Sequence, residues 1–445
     1  MRSIRLLMCL NIAAAFIFGL CLPLEKSYAA KCPCDIYKDG GTPCVAAHST
    51  VRALYQSYNG PLYQIRLKSD TTKKTNIYPV SAGGYANTAA VDSFLKGTTG
   101  GTISIIYDQS EKKNDLTVSL YGSAKTSPLT ETPPTRLKDT LSRHTVYPLA
   151  TNAGEGYRKN ITNGVATGKQ AEGMYMVCSG KRYNSGCCFD YGNAESDASA
   201  TGKSTGSMEA LYFGSSCWFS PCQGTGPWFF ADLEWGLFQA STNGTTNLSL
   251  PYKYVSGFLK GDSATYTIRA NDATLDALKL MGTSNRPSAW VTNKLTGAII
   301  LAIGGDSSPS GYGTFYEGAM TIGRPADTTE NAVQKNISLV YSGKDTITTG
   351  VYRAAETSPA LQIKTHYNLS KRDMVISYVL PDAQRVSITI IDQCGRRIAT
   401  IANGVRPAGM NEAIWDSGRT PVGIYIWKIV TDGRDGVAGK IIVGK

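Results

Sequence analysis

The apolar residues of this chain are grouped in short runs separated by Gly, Ser, Asn and Thr, and this pattern limits the fold more than any other feature. Runs such as 103–107, 228–238 and 298–303 are typical of core strands between loops. The composition agrees, because 46 Gly and 25 Tyr accompany only 18% charged residues. The sequence therefore predicts an all-β protein, and its 445 residues are enough for two domains.

Residues 1–30 have the features of a secretory signal peptide. Arg2 and Arg5 precede an apolar run over 6–22, and small residues stand before the expected cleavage point. A membrane anchor is disfavoured because this run of about seventeen residues ends at Pro23, whereas a bilayer span needs roughly twenty. We therefore expect a secreted protein that is extracellular or attached to the cell surface.

The formal net charge of +11 is spread along the chain. Lys and Arg stand singly or in pairs such as Lys112-Lys113, so no basic stripe could follow a phosphate backbone, and nucleic acid is not expected as a partner. The chain has 3 His, and no cysteine spacing resembles a zinc site. Neither a metal nor a cofactor is expected.

The cysteines that follow the signal peptide are candidates for disulfides in an exported protein. Cys187 and Cys188 are adjacent in the sequence. Since consecutive Cα atoms lie about 3.8 Å apart across a trans peptide, a bond between neighbours would close a strained ring, and pairing with distant cysteines is the ordinary alternative. An odd number of cysteines leaves at least one thiol over, for which Cys394 is our candidate.

Two carboxylates in the segment 227–238 are candidates for glycosidase chemistry, which needs a pair of acidic residues flanking the scissile bond. Alternate side chains of a strand share one face. Asp232 and Glu234 would therefore point the same way as Trp228 and Phe230. An edge strand whose acidic face is simply solvated would explain the same pattern.

Asp306 is the second candidate for acid–base chemistry. It follows the apolar run 298–303 and the pair Gly304-Gly305, and glycines allow the backbone to approach a ligand closely. An Asp beside an apolar wall can act as a general acid. Gly-Gly-Asp is also an ordinary turn sequence. A serine esterase is disfavoured because the chain has no Gly-x-Ser-x-Gly elbow.

A helix is predicted near the end of this region, starting at Thr328. Asp327 and Glu330 have the spacing of a capping box, and Ala332, Val333 and Ile337 would share a face. We therefore expect Glu330 to cap the helix and not to act in catalysis.

Several motifs together resemble the α-L-arabinofuranosidase B family, glycoside hydrolase family 54. The resemblance covers roughly 31–340 in the right order. The motifs are CDIY at 34–37, GGTPCVAAHST at 40–50, YDQS at 107–110, the adjacent cysteines at 187–188, ADLE at 231–234, GGD at 304–306 and GTFYEG at 313–318.

This resemblance implies a concanavalin-like β-sandwich. It also implies an enzyme that removes terminal non-reducing α-L-arabinofuranosyl groups from arabinan, arabinoxylan and related hemicelluloses with retention of configuration. Glu234 would be the nucleophile and Asp306 the acid/base, with the two carboxyls about 5 Å apart. Cys34 and Cys44 match a family disulfide. The implied sugar contacts are Asp232, Gly305, a Cys187–Cys188 disulfide and Trp218.

The chain departs from the family pattern near the expected sugar site. Trp235 follows the nucleophile position, where the family usually has a small polar residue, and so Trp235 would alter the shape of this subsite. A second family disulfide is absent, because its positions are Leu95 and Gly100. Cys217 and Cys222 instead bracket Trp218, and we expect a local disulfide there.

The C-terminal region has a different residue pattern from the rest of the chain. We predict a catalytic domain at 31–345, a linker at 346–366 and, at 367–445, a small β-sandwich of alternating strands in which Trp415 and Trp427 pack in the core. The family's usual arabinose-binding β-trefoil is missing. The motifs at 395–397, 415–416 and 423–425 resemble FlgD-like immunoglobulin-type modules of exported bacterial proteins.

The second resemblance suggests a bacterial origin and a role of the C-terminal module in contacts with export machinery or in cell-surface attachment. A monomer is expected. The alternative function is a non-catalytic arabinan-binding or surface adhesion protein on the same fold, which the presence of both carboxylates disfavours.

Overall fold

The computed structural model describes residues 31–443, with gaps. Outside the described residues lie the predicted signal peptide, Trp218, Glu234, Trp235, Cys394 and most of the predicted linker. The gaps are 121, 125–126, 198–207, 218–221, 234–236, 239–246, 287–293, 345–361, 369–372, 381, 393–395, 419 and 432–436.

The prediction of an all-β protein is confirmed, because strands account for most of the regular structure described. The helices are α1 (Pro33–Asp39), α2 (Thr88–Leu95) and α3 (Asp327–Tyr341). The strands up to residue 322 are β1 (Cys44–Ser49), β2 (Tyr63–Leu67), β3 (Lys74–Ile77), β4 (Gly101–Ile106), β5 (Leu116–Val118), β6 (Asp139–Leu141), β7 (His144–Val146), β8 (Leu149–Thr151), β9 (Tyr157–Lys159), β10 (Glu172–Cys178), β11 (Asp190–Ala194), β12 (Glu209–Gly214), β13 (Cys222–Gln223), β14 (Trp228–Asp232), β15 (Leu237–Phe238), β16 (Asn247–Leu248), β17 (Val255–Gly261), β18 (Thr265–Asp272), β19 (Lys279–Asn285), β20 (Ala298–Leu301) and β21 (Gly313–Ile322).

Two large antiparallel sheets form a sandwich. The seven-stranded sheet has the order β1-β21-β10-β17-β18-β19, with β8 also paired to β21. The ten-stranded sheet has the order β15-β14-β12-β11-β20-β9-β5-β4-β2-β3. Alternate side chains of both sheets, among them Met174, Met176, Leu211 and Phe213, fill one apolar core between the sheets. The opposite face of the ten-stranded sheet is called its outer face below.

A second apolar cluster covers the other face of the seven-stranded sheet. Tyr37 of α1 and Val333 and Ile337 of α3 pack there with Tyr175 and Val177 of β10. The predicted helix is thus present and begins at Asp327, one residue earlier than expected. None of the helices described within 31–443 has both the length and the apolar character that a membrane crossing requires.

The predicted capping role of Glu330 is wrong. The residue before the helix is Ala326, and it makes no side-chain capping bond. Glu330 is instead buried, with its carboxylate 2.9 Å from both Lys260 Nζ and Arg269 Nη1. A carboxylate removed from water needs paired charges, which β17 and β18 supply here, and capping-box spacing alone could not show this.

The ion pair between Arg52 and Glu317 is one of two described pairs in which neither side chain is more than 1% exposed. Arg52 donates from Nε and Nη2 to the two carboxylate oxygens, each at 2.6 Å. The hydroxyls of Tyr175 and Tyr341 donate to the same carboxylate at 3.2 Å. Arg52 also donates to Asn336 of α3 at 2.9 Å. This network ties the segment after β1 to β21, β10 and α3.

The C-terminal strands form two further sheets. They are β22 (Gln362–Asn368), β23 (Asp373–Leu380), β24 (Gln384–Asp392), β25 (Arg397–Arg406), β26 (Gly409–Asp416), β27 (Gly423–Thr431) and β28 (Val437–Val443). Their orders are β22-β23-β26 and β25-β24-β27-β28. Trp415 and Trp427 are buried in a core that both sheets share, as predicted.

The strand β22 begins at Gln362, inside the predicted linker 346–366. It pairs with β23 over its whole length, from Gln362 opposite Val379 to Asn368 opposite Asp373. Its sequence, QIKTHYN, has few apolar residues. Backbone pairing with a neighbour defines this strand, and hydrophobic alternation does not reveal it.

Replacement of Arg52 by Leu is expected to lower the free energy of unfolding by about 3–5 kcal/mol, because the Glu317 carboxylate would remain buried without its cation. The matched control is Lys73→Leu, which breaks the exposed Lys73–Asp70 pair and should cost less than about 1 kcal/mol. Urea unfolding of both variants measures the difference. Equal losses in the two variants would contradict this role for the buried pair.

Candidate active site

The strand β14 presents one row of side chains to each face of the ten-stranded sheet. Phe229 and Ala231 belong to the core between the sheets, whereas Trp228 and Phe230 pack in a separate cluster on the outer face. Asp232 follows this second row and is 7% exposed. The predicted alternation is therefore observed for the described residues. The edge-strand alternative with a solvated acidic face is wrong for Asp232, since β14 is buried throughout and is paired on both sides at Ala231 and Asp232.

Asp232 is the last residue of β14. It pairs with Leu237 of β15, and Ala231 pairs with Phe238. Glu234 and Trp235 stand between these two strands in the sequence and lie outside the described residues, as does Trp218. Their expected roles stay predictions.

The structure joins Cys187 to Cys188, with a Cα–Cα distance of 2.9 Å across a cis peptide bond. The spacing argument from the sequence assumed a trans peptide. Cys188 is 1% exposed, and its Sγ lies 3.6 Å from Asp232 Oδ2. Backbone bonds hold the pair in place, because Cys188 N donates to Ser308 O at 3.2 Å and Ser310 N donates to Cys187 O at 3.0 Å.

Asp306 lies on a tight turn after β20. Ser307 N donates to Gly304 O at 3.0 Å, and Ser308 N donates to Asp306 Oδ1 at 2.9 Å. Ala302 and Ser307 flank the turn with φ of 64° each, a left-handed conformation that costs a non-glycine residue about 1–3 kcal/mol. Such a conformation persists only where the surrounding contacts determine it, and strain of this kind is common at active sites.

Gly304 is the point at which the disulfide and the Asp306 carboxyl approach each other. A Cβ atom on Gly304 would lie 3.3 Å from Cys188 Sγ and 3.4 Å from Asp306 Oδ1. It would also collide with Ser308 Oγ at 2.3 Å. The fold thus brings Asp232, the Cys187–Cys188 pair and Asp306 to one place on the outer face, although they are distant in the sequence.

Arg158 supports this turn and was missed by sequence reasoning. Its side chain is buried, and its guanidinium donates to Gly305 O, to Glu195 O and to Asn160 Oδ1. The Gly305 carbonyl is therefore engaged by the protein. If Gly305 holds a sugar hydroxyl, its N–H can donate to the hydroxyl oxygen, and the second lone pair of its carbonyl oxygen can still accept from the hydroxyl. No local motif marks Arg158, because its partner Gly305 is 147 residues away.

Two other ionisable side chains, those of Glu317 and Tyr212, are not candidates for proton transfer at this site. Glu317, part of the GTFYEG motif, is fully buried beside Arg52 and does not reach this face. Tyr212 packs beside the disulfide, and burial raises its pKa to about 12. This phenol stays protonated at neutral pH and does not compete with the carboxylates for proton transfer.

Of the two other disulfides expected, one is present and one is not. Cys217 is joined to Cys222, with a Cα–Cα distance of 6.3 Å. Cys34 and Cys44, implied to be a disulfide, are thiols in the structure, and they contact each other through a hydrogen bond. Burial raises the pKa of the Cys34 thiol well above its usual value. A thiolate is the reactive form, so burial disfavours exchange chemistry at this pair.

Ligand atoms of Cys187, Cys188 and Asp232 lie within 4.8 Å of one another. Metal ligation by cysteine requires a thiolate, however, and these sulfur atoms are bonded to each other. This group of side chains therefore does not fit a metal ion.

Comparison with known proteins agrees with this geometry. The family described as alpha-L-arabinofuranosidase B, catalytic, matches residues 33–342. The probable alpha-L-arabinofuranosidase B of Aspergillus fumigatus is 44% identical over 374 residues, which cover 80% of this chain and 71% of the relative. The alpha-L-arabinofuranosidase B of Aspergillus oryzae is 43% identical over 374 residues, with the same coverage of 80% and 71%. These relatives are fungal and give no support to the expected bacterial origin.

Two solved structures are similar in fold and sequence. A mutant of GH54 α-L-arabinofuranosidase soaked with 4-nitrophenyl α-L-arabinofuranoside has a TM-score of 0.66 and 38% identity, covering 80% of this chain and 74% of the other. An arabinofuranosidase complexed with arabinofuranosyl-α-1,2-xylobiose has a TM-score of 0.65 and 35% identity, covering 85% and 84%. The match to the FlgD-like module has no counterpart among these findings. The chain belongs to the α-L-arabinofuranosidase B family, whose catalytic region it contains at residues 33–342.

Proposed function

We propose that this protein is a retaining, exo-acting α-L-arabinofuranosidase that removes terminal non-reducing α-L-arabinofuranosyl groups from arabinan, arabinoxylan and related hemicelluloses. The observation that supports this most is the convergence of Asp306, Asp232 and the Cys187–Cys188 disulfide on the outer face. The non-catalytic alternative is not favoured, because the similar proteins are named as arabinofuranosidases.

In the proposed mechanism, the Glu234 carboxylate attacks the anomeric carbon of the bound arabinofuranosyl group. Asp306 donates its proton to the glycosidic oxygen as the bond to the leaving group breaks, and a covalent glycosyl-enzyme forms. Asp306, now a carboxylate, then accepts a proton from a water molecule while the water oxygen attacks the anomeric carbon and the bond to Glu234 breaks. Two inversions therefore give net retention.

The surroundings of Asp306 suit this double role. Ser308 N donates to Oδ1, which orients the carboxyl group. Asp306 is half-buried, in contrast to the buried Asp232, so a substrate oxygen and a water can reach it. Asp232 is placed to accept hydrogen bonds from sugar hydroxyls, and the disulfide offers an apolar surface for the ring.

The function is tested with 4-nitrophenyl α-L-arabinofuranoside. Release of 4-nitrophenol, together with proton NMR of the first-formed sugar, reports both turnover and stereochemistry. The expected initial product is the α-anomer. Absence of turnover, or an initial β-anomer, would contradict the proposal.

Asp306→Ala is expected to reduce kcat/KM for an arabinosylated xylo-oligosaccharide by about 10²–10⁴-fold, because this leaving group needs a proton. The loss on the 4-nitrophenyl substrate should be much smaller in the first step, since 4-nitrophenolate leaves without one. Asp416→Ala is the matched control, because Asp416 makes the same backbone bond, to Gly418 N, on an exposed turn. Equal losses on both substrates would assign the acid role to another carboxylate.

Glu234→Gly is expected to lower turnover by about 10³-fold or more while the protein stays folded. Sodium azide should partly restore cleavage of the 4-nitrophenyl substrate, with an arabinosyl azide of inverted configuration as product. Asp232→Gly is the comparison, since it should weaken substrate binding without azide rescue. Near-normal activity of Glu234→Gly would contradict the assignment of Glu234 as the nucleophile.

We further propose that residues 1–30 direct secretion, that 31–345 are the catalytic domain, and that residues 367–445 serve export or surface attachment. Removal of all residues after Ser358 should leave kcat/KM on the 4-nitrophenyl substrate unchanged. Binding to insoluble arabinoxylan should also be nearly unchanged, since Trp415 and Trp427 are core residues. A pull-down with the insoluble polymer measures this, and a large loss of binding would identify a carbohydrate-binding module instead.

A further inference from the structure

A cavity of about 640 Å³ opens on the outer face of the ten-stranded sheet. It is an open groove and not an enclosed pocket, a shape that suits an extended chain. Ile65 and Ile103 belong to the core between the sheets, so their neighbours Arg66 and Thr102, which pair with each other, point to the outer face. Both line the cavity. The cavity therefore lies on the face of the sheet to which Asp232 also points.

Contacts of Ser119 and Ala124 place residues beside this cavity close to the Asp306 turn. Ser119 Oγ is 3.0 Å from Ser307 Oγ, and Ala124 N donates to Asp306 O at 3.1 Å. Leu120, which stands between these contacts in the sequence, lines the cavity and is 60% exposed. Because two residues span at most about 7 Å, the cavity opens within roughly 10 Å of the turn.

The walls of the cavity combine apolar surface with charged side chains, and two ion pairs, Arg66–Glu131 and Arg136–Glu155, are among them. Leu120 and Pro128 are exposed apolar residues. Arg66 Nη2 lies 2.8 Å from Glu131 Oε1, and this pair remains partly accessible at the wall. The C–H faces of a sugar ring can pack on the apolar part, while its hydroxyls can both donate to Glu131 and accept from Arg66. A neutral sugar chain fits this combination.

We propose that this cavity, which we call the main-chain cleft, binds the polysaccharide main chain on the leaving-group side of the scissile bond, with Leu120 as a specificity-determining residue. The inference rests on the proposed function, in which Asp306 protonates the leaving oxygen. The arabinosyl group occupies the side of Asp306 that faces Asp232 and the disulfide. The leaving chain then extends from the other side, where Ala124 contacts Asp306.

The kinetic test compares arabinoxylan with 4-nitrophenyl α-L-arabinofuranoside, whose small leaving group does not reach the cleft. Leu120→Asp is expected to lower the ratio of kcat/KM for the polymer to kcat/KM for the aryl substrate by about tenfold. Leu120→Ala should lower it by a smaller factor. The control is Leu280→Asp, because Leu280 is also half-exposed but lies on β19 at the edge of the other sheet. An unchanged ratio in Leu120→Asp overturns the inference.

A binding test separates this inference from the proposed function. Xylohexaose and α-1,5-arabinohexaose are titrated by calorimetry into Glu234→Gln protein, with and without Leu120→Asp. About tenfold weaker binding of at least one oligosaccharide to the double variant supports the cleft. Equal binding of both, or no binding of either to Glu234→Gln, overturns it. If the wild-type protein fails to cleave the aryl substrate, the proposed function fails, and the titration still decides the cleft.

Discussion

The buried ion pair between Arg52 and Glu317 is the constraint on which the catalytic region depends. Four donors satisfy one carboxylate that has no access to water, and they come from the segment after β1, from β10 and from α3. Glu317 itself is on β21, which pairs with β1, β8 and β10 in the seven-stranded sheet. Because a buried charge without its partners is very costly, an arrangement that separated Arg52 from Glu317 would be disfavoured.

The two faces of the ten-stranded sheet differ in what they contact. One face packs on the seven-stranded sheet through a continuous apolar core. The other carries smaller clusters, and the polar groups lie between them: Asp232 beside the cluster of Trp228 and Phe230, and Arg158 beneath the Gly305 carbonyl. Packing on the first face supports the second, on which Asp232 and the turn of Asp306, the proposed acid/base residue, lie.

The backbone of the turn that carries Asp306 is held by tertiary contacts. Two non-glycine residues with φ near 64° are held in place by contacts that reach them from distant segments: Ala302 N donates to Asp190 O, and Ser307 touches Ser119. Arg158 holds the Gly305 carbonyl from below, and Cys188 N bonds Ser308 O from the side. The local backbone cost is thus offset by tertiary contacts, which is the usual condition for strain at a functional site.

Much of this protein could be predicted from its sequence, because local patterns report local geometry. Period-two alternation placed Asp232 on the face of Trp228 and Phe230, Gly-Gly-Asp indicated the turn of Asp306, and the 3.6-residue period found α3. What the sequence did not show involves partners far apart in the chain or backbone states without a local signature. Capping-box spacing could not reveal that Glu330 pairs with Lys260 and Arg269, and β22 is defined by β23 and not by its own residues. The bond of Arg158 to Gly305 and the contact of Asp232 with Cys188 were decided only by the tertiary structure, because each requires segments that only the completed sandwich brings together.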